Sequence, residues 1–202
     1  MRTHAALFCG FFFATASCAF ADSLTVIYRD GNRQNVPLAQ SSGSIGAIEF
    51  TGSTESSGKT VSDLAGIHTL KAKHTGKCLD VAGVGRNNGD NIQQWDCNGG
   101  DNQKWRFVPK GGEYFSLVAL HSGRCADVAG VGRNNGDNVQ QWDCNGGDNQ
   151  IWRVVSEGGG YYRLTAKHSG RCLDVSGVGT NNGDNVHQWD CHTGDNQKWK
   201  IE

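Results

Sequence analysis

An internal repeat constrains this chain more than any other feature. Cys78, Cys125 and Cys172 stand 47 residues apart, as do Trp95, Trp142 and Trp189, and likewise Trp105, Trp152 and Trp199. Between 78–106 and 125–153 the first two repeats differ only at Leu79/Ala126, Ile92/Val139 and Lys104/Ile151. The third is more diverged, with His187 and His192 among its changes. A unit of this size cannot bury an apolar face alone, so the repeats must close on one another. The repeat region runs over 66–202, in units of about 66–112, 113–159 and 160–202.

Each unit carries short stretches of period two between Gly and Asn turns: Cys78 to Val81, Ile92 to Cys97, and Gln103 to Phe107. With His68 to Ala72 leading in, the pattern predicts about four short strands per unit and no helix. Three units are fewer than a propeller needs. The expected fold class is all-β, a closed domain of three pseudo-threefold repeats.

The residues ahead of the repeats differ in kind. Arg2, the apolar run Ala5–Phe13 and the small residues ending in Ala19-Phe20-Ala21 predict a signal peptide over 1–21, cleaved before Asp22. That run is too short to span a bilayer. A lipoprotein signal ending at Cys18 competes, but it has Thr15 where such signals carry Leu. A secreted, extracellular or periplasmic protein is expected. Over 22–50, Thr25–Tyr28 and Val36–Leu38 flank the turn pair Asp30-Gly31 and predict a β-hairpin, with a further strand over Ile45–Phe50. Residues 51–65 are rich in Ser, Thr and Gly and read as a linker.

Cys9 and Cys18 leave with the leader, and an even set remains in an exported chain, which reads as disulfides. The expected pairing is within repeats: Cys78 with Cys97, Cys125 with Cys144, Cys172 with Cys191. The formal charge of −1 becomes −2 once Arg2 is removed, with both signs interspersed and no basic block. A nucleic-acid partner is therefore not expected.

Strand alternation sorts the side chains. In Cys78 to Val81, Leu79 and Val81 take the core face, leaving Cys78 and Asp80 opposite. In Ile92 to Cys97, Ile92, Gln94 and Asp96 share one face and Gln93, Trp95 and Cys97 the other. A bridge from Cys78 to Cys97 then places Asp80, Gln93 and Trp95 together. A pyranose asks for this set: an aromatic face for its C–H patch, a carboxylate to accept two adjacent hydroxyl protons, and amides for the remainder. Asp127, Gln140 and Trp142 repeat it, and so do Asp174, His187 and Trp189.

The order Cys-Leu-Asp-Val, Gln-Gln-Trp-Asp-Cys, Asp-Asn-Gln-x-Trp resembles the ricin B-type (R-type) lectins, a β-trefoil family also found as carbohydrate-binding modules of secreted hydrolases. Gln103-Lys104-Trp105, Gln150-Ile151-Trp152 and Gln197-Lys198-Trp199 each carry the family's Gln-x-Trp signature. The resemblance implies a β-trefoil of twelve strands in three lobes, with one shallow sugar pocket per lobe. It implies a first site of Asp80, Gln93, Trp95 and Asn102, backed by Gln103. The second is Asp127, Gln140, Trp142 and Asn149, backed by Gln150. The third is Asp174, Trp189 and Asn196, backed by Gln197, with His187 in place of glutamine and His192 within reach. The partner so implied is a glycan, of galactose or N-acetylgalactosamine type, bound by a lectin or by an accessory module of a secreted hydrolase or toxin.

Other readings account for several of these residues. Trp105, Trp152 and Trp199 are most simply core. Asp101, Asp148 and Asp195 lie between Gly and Asn and suit turns. The loops at 85–91 and 132–138 are rich in oxygen ligands but do not match a calcium loop, so no metal is expected. His74, His121 and His168 lack a second ligand at metal spacing and read as structural. No nucleophile elbow, zinc helix or phosphate loop occurs, and Glu49, Glu55, Glu113, Glu157 and Glu202 fall outside the repeated motifs. A shallow site also lacks the burial that raises a carboxylate for acid catalysis. No catalytic residue and no cofactor are expected. A trefoil serving as a protein-binding scaffold would not need Trp, Asp and Gln to converge in every lobe.

Overall fold

The computed structural model describes residues 23–27, 33–37 and 61–202. The expected leader and the strand over Ile45–Phe50 lie outside the described residues. Two units divide between Glu55 and Ser56. In the first, β1 (Ser23–Ile27) and β2 (Arg33–Pro37) form an antiparallel pair with Thr25 opposite Asn35. The hairpin is present, with its strands one to three residues earlier than the hydrophobic pattern suggests.

The second unit opens with a 3-10 turn, Val61–Leu64, whose Leu64 is fully buried in the core. The core therefore begins inside the segment read as linker. Then come β3 (Gly66–His68), β4 (Leu70–Ala72), β5 (Cys78–Val81), β6 (Ile92–Trp95) and β7 (Trp105–Pro109). The second lobe supplies β8 (Tyr114–Ala119), β9 (Cys125–Val128), β10 (Val139–Trp142) and β11 (Trp152–Gly158). The third supplies β12 (Tyr161–Ala166), β13 (Cys172–Val175), β14 (Val186–Trp189) and β15 (Trp199–Ile201). Among the described residues the helical pieces are all 3-10 turns.

The sheet closes on itself. β7 pairs with β8, β8 with β11, β11 with β12, β12 with β15 and β15 with β4, while β3 pairs back onto β7. The sheet has thirteen strands and not twelve, because the entering strand breaks at Thr69 to lean first on β7 and then on β15. Three hairpins, β5–β6, β9–β10 and β13–β14, cap this barrel. They meet around the pseudo-threefold axis through the bridges Asn91 to Gln140, Asn138 to His187 and Gln93 to Asn185. The architecture is an all-β trefoil.

Trp105, Trp152 and Trp199 are wholly buried, as expected of core residues. Each ring N–H donates to a carbonyl on the cap strand above, Leu79 at 2.9 Å, Ala126 at 3.1 Å and Leu173 at 3.0 Å. One side chain thus fills the barrel and pins its cap. The alternation predicted along β6 holds for buried Gln94 but fails at Asp96. The strand ends at Trp95, so the next side chain leaves the pleat and meets Lys77 at the surface.

Gln94, Gln141 and Gln188 are buried because each binds a loop of the preceding lobe. Gln141 donates to Gly85 O at 2.9 Å, Asn87 O at 3.0 Å and Asp90 Oδ2 at 3.1 Å. Gln188 holds the 132–137 loop in the same way, and Gln94 of lobe one holds the 179–184 loop of lobe three. The histidines read as structural serve the same seams, with His121 Nε2 at 2.6 Å from Gly85 O and His168 Nε2 at 2.6 Å from Gly132 O. Each lobe grips its predecessor, and the ring closes.

Disulfides join Cys78 to Cys97, Cys125 to Cys144 and Cys172 to Cys191. Each staples the open end of a cap hairpin. Peptide mapping of the unreduced protein will recover these three links, and Cys78→Ala/Cys97→Ala will lose about 3 kcal/mol in denaturant unfolding, as chain entropy gives for a loop of this length.

Candidate functional site

The site of each lobe grows from one buried carboxylate. Asp80 is 3% exposed although it points away from the barrel core. The register of the cap hairpin sets Asp80 opposite Gln93 and Cys78 opposite Trp95. Gln93 Nε2 donates to Asp80 Oδ1 at 3.0 Å. From the 3-10 turn Asp101–Gln103, Asn102 Nδ2 donates to Oδ2 at 2.7 Å and Gln103 Nε2 at 2.9 Å. A carboxylate offers about four lone-pair positions, so these three bonds leave roughly one for a ligand. The carboxylate that the sequence suggests could accept two hydroxyl protons has most of its acceptor capacity taken by these amides.

Trp95 stands beside the carboxylate and is 40% exposed, in contrast to the buried Trp105. Its ring is flanked by a loop of lobe three: a Cβ added to Gly183 would lie 3.8 Å from Trp95 Cζ3. Gly183 has φ near 90°, so the backbone requires glycine there, while a Cβ at that distance would make only an ordinary contact with the ring. Gly89 and Gly136 stand in the same relation to Trp142 and Trp189. Each exposed tryptophan therefore has a loop of the neighbouring lobe beside it, which reading a single repeat did not reveal.

Lobe two repeats the arrangement. Asp127 accepts from Gln140 at 3.2 Å, Asn149 at 2.7 Å and Gln150 at 2.9 Å, beside a Trp142 that is 39% exposed. In lobe three Asp174 accepts from Asn196 and Gln197, each at 2.8 Å. His187 Nε2 lies 3.0 Å from its Oδ1 and His192 Nε2 3.5 Å from its Oδ2. The His187 ring stacks on Trp189 with centroids 5.2 Å apart. A depression of about 270 Å³ is lined there by Asp174, His187, Trp189, His192 and Asn196, and also by Ser176, Gly177 and Val178. Those last three belong to a turn the sequence pattern did not mark as functional. Gln103, Gln150 and Gln197 are fully buried and stand behind the aspartates.

Electrostatics correct a second expectation. The site is shallow, yet burial pushes the carboxyls of Asp80 and Asp127 above their ordinary value, against the lowering effect of the three amide donors. At the rim, Asp96 is held below its ordinary value by hydrogen bonds from Lys77 and Asn182. The arrangement offers an exposed aromatic face, one acidic acceptor and a ring of amides. It suits a small ligand with one apolar face and several hydroxyls.

The family model for the ricin-type β-trefoil lectin domain-like group matches residues 57–142, 101–189 and 148–202. The chain belongs to this ricin-type β-trefoil lectin family. Among solved structures it resembles the designed threefold-symmetric protein ThreeFoil, at 47% identity and a TM-score of 0.66, over 67% of this chain and 96% of that one. It also resembles an exo-β-1,3-galactanase from Clostridium thermocellum, at 37% identity and a TM-score of 0.66, over 67% of this chain but only 30% of the galactanase. The Rhizoctonia solani agglutinin matches at 29% identity and a TM-score of 0.62, over 68% and 94% of the two chains. No curated protein matches. The trefoil of this lectin family is a carbohydrate-binding fold, found both alone and as part of larger enzymes and toxins.

Because Asp80 holds three amide donors, its replacements diverge. Asp80→Ala orphans them at about 1–3 kcal/mol each and will lower stability by at least ~3 kcal/mol in denaturant unfolding. Asp80→Asn will keep most of it, since a flip of the Gln93 amide restores that pair while the charge is removed.

Proposed function

We propose that this protein is an exported lectin that binds glycans through three shallow sites, one per lobe. The observation that carries the reading is that each lobe exposes one tryptophan beside one buried, amide-held aspartate, while its second tryptophan is wholly buried. A side chain as large as Trp95 left open three times over, always next to the same polar set, is explained by a ligand that covers it. The sugar-contacting residues are Asp80, Gln93, Trp95 and Asn102, then Asp127, Gln140, Trp142 and Asn149, then Asp174, His187, Trp189, His192 and Asn196. The sugar stacks on the indole, gives one hydroxyl proton to the aspartate and exchanges the remainder with the amides.

Three disulfides suit an oxidising compartment, in keeping with an export leader over 1–21. Among the described residues no helix is long and apolar enough to cross a membrane. The likeness to a galactanase favours a galactose-type ligand. It also supports a second reading, since that enzyme carries the same fold in 30% of its length: a non-catalytic module that brings a secreted hydrolase or toxin to its polysaccharide.

A monosaccharide in so open a site gains about 0.3 kcal/mol per heavy atom, roughly 4 kcal/mol for a dozen atoms, or a Kd near millimolar. Useful affinity comes from engaging several lobes, which exceeds one site by ~100-fold or more. On a glycan array, Asp80→Asn, Asp127→Asn or Asp174→Asn alone will weaken binding in part, and the triple variant will abolish it with its fold intact by circular dichroism. Unchanged array binding by that triple variant overturns the three-site mechanism.

Lobes one and two will respond to acid. The raised folded values of Asp80 and Asp127 mean that protonation stabilises the fold, fully below the unfolded value near 3.8, and that this stabilisation is lost as pH rises through the folded value. Sugar binding has the opposite sign, because the hydroxyl donates to the ionised acceptor. Single-lobe variants retaining lobe one or two will hold their affinity from neutrality down and lose it on acidification before the fold is lost. A variant retaining lobe three, where two imidazoles approach Asp174 in place of the amide and asparagine of the other lobes, will differ from both in sugar preference. Titration calorimetry of the three variants across pH and sugars checks both outcomes.

A further inference from the structure

Three valines stand in a conformation that valine avoids. Val84, Val131 and Val178 have φ of 54°, 55° and 53°, and among the described residues no other non-glycine residue has a positive φ. A β-branched side chain in the left-handed region crowds its own backbone, so each is strained. Each follows a glycine in the same region, Gly83, Gly130 or Gly177, in a turn closed by a 3.1 Å bond such as that from Gly85 N to Ala82 O. Glycine or asparagine forms such a turn without strain.

Nothing in the packing offsets this. The three valines are 54%, 55% and 56% exposed and lie outside the core cluster. With Ile67 and the three site tryptophans they make up the entire set of exposed large hydrophobic side chains among the described residues. In lobe three the two kinds meet, since Val178 lines the same depression as Trp189, Asp174 and Asn196. Exposure and strain recur with the repeat, and in lobe three they coincide with a place in the pocket.

We propose that Val84, Val131 and Val178 are ligand contacts, giving each pocket a second apolar wall besides its tryptophan. The inference rests on the saccharide reading and narrows it. The ligands selected carry an apolar group beyond the stacked C–H face, such as the methyl of an acetamido or 6-deoxy sugar.

The test uses the full chain as three triple variants: Val84→Gly/Val131→Gly/Val178→Gly, the corresponding Val→Thr set, and the Asp→Asn set as a control. Each is measured by thermal unfolding and on an array bearing galactose, N-acetylgalactosamine and fucose. The glycine set will unfold at or above the parent's Tm, with strain relief set against the freedom glycine adds to the unfolded chain. Its binding to the best methyl-bearing sugar will fall about tenfold, as for two lost methyl-sized contacts. Binding to galactose will fall less. The threonine set keeps shape and backbone, and will lose affinity at unchanged Tm. Parental binding by the glycine set, or a lowered Tm, overturns the proposal. If the Asp→Asn control loses binding while both valine sets keep it, the saccharide reading stands and the valine role alone fails. A parent that binds nothing on the array removes both.

Discussion

Everything in a lobe is arranged around a carboxylate that water barely reaches. Burying an ionised group is costly unless the protein replaces its solvation, and here neutral amides do so. For Asp80 the three donors come from two segments: its own cap strand's partner at Gln93, and the turn before β7 at Asn102 and Gln103. Satisfying one charge therefore fixes the relative position of β5, β6 and the entry to β7. Gln103 extends the tie by donating to Asp96 O and accepting from Asn98 N, while Trp105, two residues on, reaches Leu79 O beside the aspartate. The Gln-x-Trp pair is thus a clamp with one polar and one apolar jaw, closing on the strand that carries the site. Fold and recognition share the same atoms, which is why truncating the aspartate cannot be a clean functional lesion.

A second constraint makes the three lobes one object. The buried Gln141 gives its amide N–H groups to the loop of lobe one, Gln188 to that of lobe two and Gln94 to that of lobe three, while each side-chain oxygen accepts from a hydroxyl of its own lobe. Exposed anchors run alongside. Asn88 Nδ2 donates to Asp143 at 2.8 Å and Asn88 Oδ1 accepts from Arg124 at 2.6 Å, and Asn135 and Asn182 repeat the donation to Asp190 and Asp96. A lobe taken alone would carry an amide whose N–H donors have lost their acceptors and a tryptophan missing the loop that flanks it. Closure is hence a condition for each site, and near-identical repeats follow from it: a seam that works once works three times.

Much of this was legible in the period of the sequence. The recurrence of Cys, Asp, Gln and Trp marks the lobes and the local disulfides, alternation brings Gln93 to Asp80, and the resemblance to the R-type lectins adds Asn102 and Gln103. What was not legible depends on partners outside the repeat being read. Alternation put Gln94 on the apolar face, but only the neighbouring lobe explains how an amide can lie there. It put Asp96 inward because it assumed that β6 continues, whereas the strand ends at Trp95. The burial of Asp80 was underestimated because an outward-facing residue was taken as open, and the turn from Asp101 to Gln103 that roofs it reads as a loop. The break at Thr69 has no counterpart in the other lobes and is visible only in how the barrel closes.

Lobe three tests how much of this frame is chemistry and how much is shape. His187 sits at the register position of Gln93 and Gln140 and approaches Asp174 at 3.0 Å, where Gln93 approaches Asp80 at 3.0 Å. An imidazole N–H is planar and reaches about as far from the strand as a glutamine amide, so the carboxylate keeps its donor and the cap keeps its register. The ring differs in shape. Glutamine has a carbonyl oxygen beyond its donor, whereas the buried His187 lies nearly parallel to Trp189 and carries its second nitrogen on a rigid plane. His192 moves the other way: its backbone N–H still donates to Gln197 at 2.8 Å, as Asn98 does to Gln103, while its side chain turns a second imidazole toward Asp174. Both substitutions preserve the bonds that hold the lobe together and alter the groups lining its depression, so this lobe differs from the other two at the candidate site while its scaffold is the same.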